Sequence, residues 1–188
     1  MASPAPAAQN QALEALETLR RGFADISDFT AEISQEKQLA LMKQKMVSRG
    51  MVRFKKPGIF YMELYPPHAS RLRLKNNILT VRYPKEGITD RITIPTEEGL
   101  EKWFTYLARP VTALPEGMEV RAERLGDLWN LRILPGSKGG VKELRLVFDG
   151  EGRIRTLTIA EQNSDRTVIK FHNLRRNAGL REQDFQVD

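Results

Sequence analysis

Side chains able to carry catalysis are scarce in this 188-residue chain, which has two histidines and no cysteine. His68 follows a Pro-Pro pair in a predicted loop. His172 alternates with Ile169 and Phe171 in a predicted strand, so its side chain should face outward. Acid–base or nucleophilic catalysis needs a histidine beside a partner in a fixed motif, and no G-x-S-x-G motif occurs. We therefore expect two surface histidines and a protein that is not an enzyme.

Metal and phosphate sites are not predicted either. The acidic segment Asp149–Gly152 lacks the further ligand positions of a calcium loop, and it is interpreted as a hairpin turn. The glycine-rich segment Gly136–Gly140 lies between two predicted strands, whereas a phosphate-binding P-loop needs a strand before it and a helix after it. The sequence thus predicts neither a metal nor another cofactor.

Charge and composition describe an ordinary globular chain with a basic surface. Hydrophobic residues make up 40%, the net charge is +6 and the pI is about 9.7. This charge favours anionic partners without choosing among nucleic acid, acidic lipids and acidic proteins. The first ten residues lack the basic and apolar regions of a signal peptide. We interpret them as the start of a chain whose leader has been removed, or as a simple disordered tail. Residues 1–8 are predicted to be flexible, and residues 9–188 to form a single domain.

Two segments have the periodicity of amphipathic helices. Residues 9–24 place Leu13, Leu16, Leu19 and Phe23 on one side. Residues 96–108 are predicted to form the second helix, which has a capping threonine followed by an apolar stripe: Thr96, Leu100, Trp103, Phe104 and Leu107.

Most of the remaining chain alternates polar and apolar residues, which is typical of strands with one face in water. We predict roughly ten strands without a β-α-β rhythm, and therefore an antiparallel sheet. The last segment, residues 177–188, is predicted to hold a turn and a short strand ending in Phe185 and Val187. The predicted strands span residues 29–35, 47–54, 59–65, 71–75, 78–83, 91–94, 118–124, 128–134, 141–148, 153–160 and 167–174.

Basic side chains recur on neighbouring predicted strands. Basic strands with aromatic partners can bind single-stranded nucleic acid. Most of these residues, however, are the outward half of an alternating strand, so we favour a water-exposed face. The residues concerned are Arg53, Lys55, Lys56, Arg71, Arg73, Lys75, Arg82 and Lys85, with a second group at Arg175, Arg176 and Arg181.

The apolar half of these strands could serve as a core or as a ligand site. A sheet this wide must curve, split or close. If the two helices fill the concave side, the apolar face is only a core. If they fill it loosely, the remaining space is a cavity for a ligand.

Several short motifs, in order, resemble the LolA family, the soluble periplasmic carriers of outer-membrane lipoproteins. Residues 29–35 (FTAEISQ) are similar to the family's F-x-A-x-F-x-Q, and residues 54–60 (FKKPGIF) to its K-R-P-x-x-F core. Asn76-Asn77 lies where the family often turns with Asp-Gly, and Tyr83-Pro84 resembles a tyrosine and a proline that follow the next strand. Ala160-Glu161-Gln162, Arg166-Thr167, Asn177 and Phe185 are similar to its closing pattern.

This resemblance implies a mainly β protein with helices, an incomplete and strongly curved antiparallel β-barrel with a helical lid. It further implies a periplasmic carrier that binds acyl chains in an apolar cavity and moves them from the inner to the outer membrane. Its partners would be an acylated lipoprotein or other lipid cargo, an inner-membrane donor complex and an outer-membrane acceptor, with no nucleic acid. We expect a monomer, with Lys56 holding the lid or contacting a partner. The implied cavity and lid residues are Phe54, Phe60, Met62, Leu64, Leu72, Leu74, Val81, Trp103, Phe104 and Leu107.

Two alternatives stay open at this point. A carrier of another amphiphile, a glycolipid or phospholipid, could use the same scaffold with basic residues at an anionic headgroup. A nucleic-acid-binding module is the alternative from a different functional class, and it would bind oligonucleotides with a steep salt dependence.

Overall fold

A computed structural model describes residues 5–94, 100–136 and 139–188. Its helices are α1 (Pro6–Ala24), α2 (Leu100–Leu107) and a short 3-10 helix (Glu182–Phe185). Its strands are β1 (Asp28–Gln38), β2 (Met46–Lys55), β3 (Ile59–Leu64), β4 (Ser70–Lys75), β5 (Ile78–Tyr83), β6 (Ile88–Thr93), β7 (Met118–Leu125), β8 (Leu128–Pro135), β9 (Val141–Asp149), β10 (Ile154–Glu161) and β11 (Arg166–Arg176).

All of these strands belong to one sheet in the order β6-β5-β4-β3-β2-β1-β11-β10-β9-β8-β7. The strand pairs whose register is defined are antiparallel. The sheet does not close, because β6 and β7 end it. The predicted fold class, an incomplete antiparallel barrel with helices, is confirmed.

Each predicted strand up to residue 174 overlaps an observed one, but two details of the prediction were wrong. The strand expected near Phe185 is a 3-10 helix. Helix α1 begins at Pro6, where a proline suits the first turn, three residues before the predicted start. The predicted cap at Thr96 lies outside the described residues.

The chain forms two compact units. The first unit comprises residues 1–25, 36–46 and 107–170, and the second comprises residues 26–35, 47–106 and 171–188. The long strands β1 and β11 each contribute residues to both units.

In the first unit, α1 lies against β7 and β8 through a face of small side chains. Ala12 and Ala15 are fully buried beside Leu16, and Gly22 is buried near the end of the helix. A Cβ atom at Gly22 would lie 2.6 Å from the Glu151 carbonyl oxygen in the β9–β10 turn. This contact requires glycine, because real Cβ atoms do not approach backbone so closely.

The core of the first unit contains large side chains that are fully excluded from solvent. Leu131 and Phe148 are fully buried, and Trp129 pairs with Phe148 across β8 and β9. Glu17 of α1 accepts a hydrogen bond from the Val111 N–H at 2.8 Å and pairs with Arg20 at 2.6 Å. The Arg20 guanidinium is the main reason that the pKa of Glu17 is lowered.

Gly22→Ala should destabilise the protein although alanine is the better helix former. The added methyl group must displace the backbone of the β9–β10 turn, which we expect to cost about 1–3 kcal/mol in the free energy of unfolding. Urea denaturation measures this. Gly150→Ala in the same turn is the matched control, since a Cβ atom there meets nothing within 4 Å. Equal stability of the two variants would contradict the proposed close packing.

Candidate functional site

One face of the second unit carries two rows of side chains that cross β2 to β6. Directly opposed residues share a face, so the pairing registers define each row. The first row is Phe54, Phe60, Leu74, Leu79 and Ile92, and the second is Val52, Met62, Leu72, Val81 and Asp90. We call these two rows the apolar ladder. Nine of its ten residues are apolar, so the face can hold an apolar ligand.

Exposure of the ladder rises from β2 towards the edge strand β6. Val52 and Phe54 are 1% and 2% exposed, and the ring of Phe54 lies 5.3 Å from that of Phe29 on β1. The side chains on β3, β4 and β5 are half-buried. Ile92 on β6 is 54% exposed. The ladder is therefore a core at one end and an accessible apolar surface at the other.

Seven of the predicted cavity residues lie together on this face. Phe54 and Leu64 are buried, and the other five are half-buried members of the ladder: Phe60, Met62, Leu72, Leu74 and Val81. The sequence-based site prediction does not include the apolar ladder residues Val52, Leu79 and Ile92, although the alternation in residues 78–83 places Leu79 on the same face as Val81.

The helical residues of the predicted site are carried by α2. Trp103 and Leu107 are half-buried, and the ring of Trp103 meets that of Tyr106 edge-on at 6.0 Å. The side chain of Phe104 lies outside what the structure describes. Lys56 follows β2, and its backbone N–H donates to the Ser27 carbonyl oxygen at 2.9 Å. The roles assigned to these residues stay predictions.

The opposite face of β2 to β4 is covered by residues 177–188, which we call the C-terminal clasp. Arg53 Nη1 donates to the Asp184 carbonyl oxygen at 2.7 Å, and Lys55 Nζ donates to the Leu180 carbonyl oxygen at 2.6 Å. The prediction that these two cationic side chains lie on a water-exposed face was wrong, because both donate hydrogen bonds to the clasp backbone. Lys75 Nζ likewise lies 2.7 Å from Glu182 Oε1.

Asp28 at the start of β1 anchors the first residues of the clasp. Its buried carboxylate accepts the N–H groups of Ala178 at 2.6 Å and Leu180 at 2.8 Å, and its carbonyl oxygen accepts that of Asn177 at 2.8 Å. The Asn177 side chain returns a bond by accepting the Ser27 N–H at 2.7 Å. Charge-assisted bonds of this kind are stronger than neutral ones, so Asp28 fixes where the clasp begins.

Apolar packing fixes the end of the clasp. Phe185 and Val187 are buried against Tyr61, with Ile59 and Leu180 packed beside them. The Arg53 guanidinium stacks 5.6 Å from the centre of the Tyr61 ring. The sequence indicated Phe185 and Val187 as apolar but gave no signal for Ile59 and Tyr61, which lie more than a hundred residues earlier.

The residues expected to lack catalytic or metal-binding roles lie as follows. His68 and His172 are both exposed, as predicted. Asp149 Oδ1 accepts the N–H groups of Glu151 and Arg153 at 3.0 Å, so this carboxylate organises a hairpin turn. Within the described part of the chain, no three or more acidic or histidine side chains are grouped to hold a metal ion. In that same part, no helix has the length and apolar character to cross a membrane.

A family model described as "Outer membrane lipoprotein carrier protein LolA" matches residues 24–188. The chain belongs to the LolA family. The matched region contains every ladder residue and the clasp but excludes nearly all of α1. No curated protein matches the sequence. The LolA assignment therefore depends on the family model together with the fold.

Solved structures similar to this LolA-family chain share its fold at low identity. An uncharacterized conserved protein from Thermus thermophilus has a TM-score of 0.54 at 11% identity, covering 93% of this chain and 91% of that one. A LolA superfamily protein from Nitrosomonas europaea has a TM-score of 0.51 at 12% identity, covering 94% and 97%. A putative outer membrane lipoprotein-sorting protein domain from Vibrio parahaemolyticus has a TM-score of 0.51 at 12% identity, covering 93% and 95%.

Asp28→Asn should loosen the clasp. The amide keeps the volume of the carboxylate but loses its charge and leaves one clasp N–H poorly paired, so we expect a loss of about 1–3 kcal/mol in the free energy of unfolding. Hydrogen exchange at the Leu180 amide should accelerate more than exchange in β8 of the first unit. Asp90→Asn on exposed β6 is the control. Unchanged exchange at Leu180 in the Asp28 variant would exclude the anchoring role.

Burial raises the pKa of the Tyr61 hydroxyl to about 12. The hydroxyl donates a hydrogen bond to the Glu63 carboxylate at 3.0 Å, and this neighbouring negative charge also raises the pKa. The unfolded chain releases this proton near the ordinary value of about 10. The stability that this group contributes is therefore fully present below pH 10 and is lost as the pH rises towards 12. We expect a fall of about 2–3 kcal/mol that Tyr61→Phe lacks, measured by denaturation at each pH.

The comparison between wild type and Tyr61→Phe must isolate this one hydroxyl from the other groups that titrate in alkali. The two proteins should show parallel stability between about pH 7 and 9, where Tyr61 ionises in neither the folded nor the unfolded chain. Parallel curves that continue up to about pH 12 would contradict the burial of an ionisable hydroxyl at this position.

Proposed function

We propose that this LolA-family protein is a periplasmic carrier that binds the acyl chains of lipoproteins along the apolar ladder and shuttles them from the inner to the outer membrane. The observation that carries the proposal is the graded exposure of the ladder. Half-buried and exposed apolar side chains on neighbouring strands form a continuous surface of the kind that binds ligands or partners.

The energetics of an acyl chain suit such a surface. Each buried methylene group contributes about 0.8 kcal/mol, so about ten methylene groups laid along the ladder contribute about 8 kcal/mol. A lipid with several chains cannot cross an aqueous compartment unless its chains are shielded in this way. The rows run across strands β2 to β6, which gives an extended chain a path from the buried Phe54 to the exposed Ile92.

The other face of the same strands supports this choice of ligand surface. The clasp occupies it between β2 and β4, so the ladder is the face of these strands that remains accessible to cargo. The clasp also weighs against the nucleic-acid alternative. Arg53 and Lys55 donate to clasp carbonyl oxygens and would have to release them to contact phosphates, and Lys75 forms an exposed ion pair with Glu182 of the clasp.

The helix α2 completes the proposal as a lid. Trp103 and Leu107 would shield the cargo, and Lys56 would hold the lid or contact the donor complex or acceptor.

Delipidated protein titrated with a fluorescent acylated peptide tests the carrier function, because saturable binding is expected and its absence would reject the proposal. Native mass spectrometry of protein purified from its own periplasm identifies the cargo. A glycolipid or phospholipid found there would replace the lipoprotein with another amphiphile.

Ile92→Asn should weaken acylated-peptide binding about tenfold, since a polar amide replaces an apolar contact worth about 1.5 kcal/mol. The side chain is 54% exposed, so folding should be unaffected. Thr93→Asn is the matched control, because Thr93 is also exposed on β6 but lies on the opposite face. Equal affinities of the two variants, measured by fluorescence anisotropy, would remove the ladder from the binding site.

A further inference from the structure

The turn between β1 and β2 presents apolar side chains to solvent at the tip of a hairpin. We call residues 39–45 the β1–β2 turn. Leu41 is 100% exposed and Met42 is 46% exposed. A leucine without any covering atoms contributes nothing to the core and is open to contact with another surface.

This turn is held in place by hydrogen bonds. Gln38 Nε2 donates to the Met42 carbonyl oxygen at 2.7 Å and to the Leu39 carbonyl oxygen at 3.3 Å. The Met42 N–H donates to the Leu39 carbonyl oxygen at 3.0 Å. The Ala40 N–H donates to Asp165 Oδ1 in the β10–β11 turn at 2.8 Å. These bonds on both sides of Leu41 fix the backbone with its side chain directed into solvent, so binding needs little ordering of the turn.

Basic residues flank the exposed leucine along the chain. Residues 36–45 contain three lysines, at positions 37, 43 and 45, and a single acidic residue, Glu36. Lys45 Nζ lies 2.6 Å from Glu36 Oε1, which neutralises that carboxylate. Lys45 is the main cause of the lowered pKa of Glu36, and Lys170 and Arg166 of β11 act in the same direction. The Asp165 carboxylate accepts a hydrogen bond from the backbone N–H of Ala40 in the turn.

We propose that the β1–β2 turn docks on an anionic lipid bilayer, with Leu41 and Met42 entering the boundary between headgroups and acyl chains. Lys43 then contacts the acidic headgroups, while Lys45 stays paired with Glu36. An apolar tip within a basic rim is complementary to a negatively charged surface above an apolar layer. One exposed leucine provides only weak attachment, so docking is reversible.

This inference does not depend on the proposed carrier function. The turn belongs to the first unit, whereas the apolar ladder belongs to the second. Acylated-peptide binding is measured without vesicles, and vesicle binding is measured without peptide. Each proposal can therefore fail while the other stands.

The absence of cysteine permits a probe at a single site. Leu41→Cys labelled with an environment-sensitive fluorophore should shift its emission to the blue when mixed with vesicles of phosphatidylcholine and phosphatidylglycerol. The same label at Leu125→Cys is the matched control, since Leu125 is also exposed at a hairpin turn, between β7 and β8. A spectrum at position 41 that vesicles leave unchanged would overturn the proposal.

Vesicle partitioning of the full chain tests the chemistry of docking. Leu41→Ser should lower the partition coefficient about tenfold, whereas Leu125→Ser should leave it unchanged. Lys43→Gln should lower it about fivefold, and added salt should weaken binding. Equal binding to purely phosphatidylcholine vesicles, or wild-type binding by Leu41→Ser, would contradict docking on an anionic bilayer. Unchanged thermal unfolding of these surface variants confirms that each remains folded.

Discussion

The buried carboxylate of Asp28 is the interaction on which the second unit depends. It accepts two backbone N–H groups of the clasp while its own backbone accepts a third, so the chain must turn at Asn177 and run back over β2 to β4. Arg53 and Lys55 then bind clasp carbonyl oxygens, and Phe185 closes against Tyr61. The clasp fills one face of these strands, and the apolar ladder lies on the opposite face.

Both units alternate polar and apolar residues along their strands, but the apolar side chains differ in how far they are buried. In the first unit, α1 brings alanine and glycine against β7 and β8, and Leu131 and Phe148 are completely excluded from solvent. In the second unit, the apolar rows become more exposed from β2 towards β6. This chain therefore combines a close-packed part with a part whose apolar side chains are only partly buried, and the proposed acyl-chain binding depends on the second part.

Local patterns were enough to predict the strands and most of the ladder, since alternation at Arg71–Lys75 or Ile78–Tyr83 depends only on which face meets water. The clasp could not be predicted in this way. Its bonds join Asp28 to Leu180 and Lys55 to Leu180 over more than a hundred residues, and no local pattern records such pairs. The packing face of α1 was also obscured, because alanine and glycine give a weaker periodic signal than Leu13 or Phe23.

The edge strand β6 ends the sheet and is exposed to pairing with another chain. An exposed edge with apolar residues invites such pairing, and charged side chains oppose it. Asp90 and Arg91 are adjacent at the middle of β6, between the exposed Ile88 and Ile92. Arg82 holds the β5–β6 turn by donating to the Gly87 carbonyl oxygen at 2.9 Å. The charges interrupt the apolar edge and so disfavour pairing with a second strand, although Asp90 also places one carboxylate on the ladder face, where the proposed acyl chain would lie beside it.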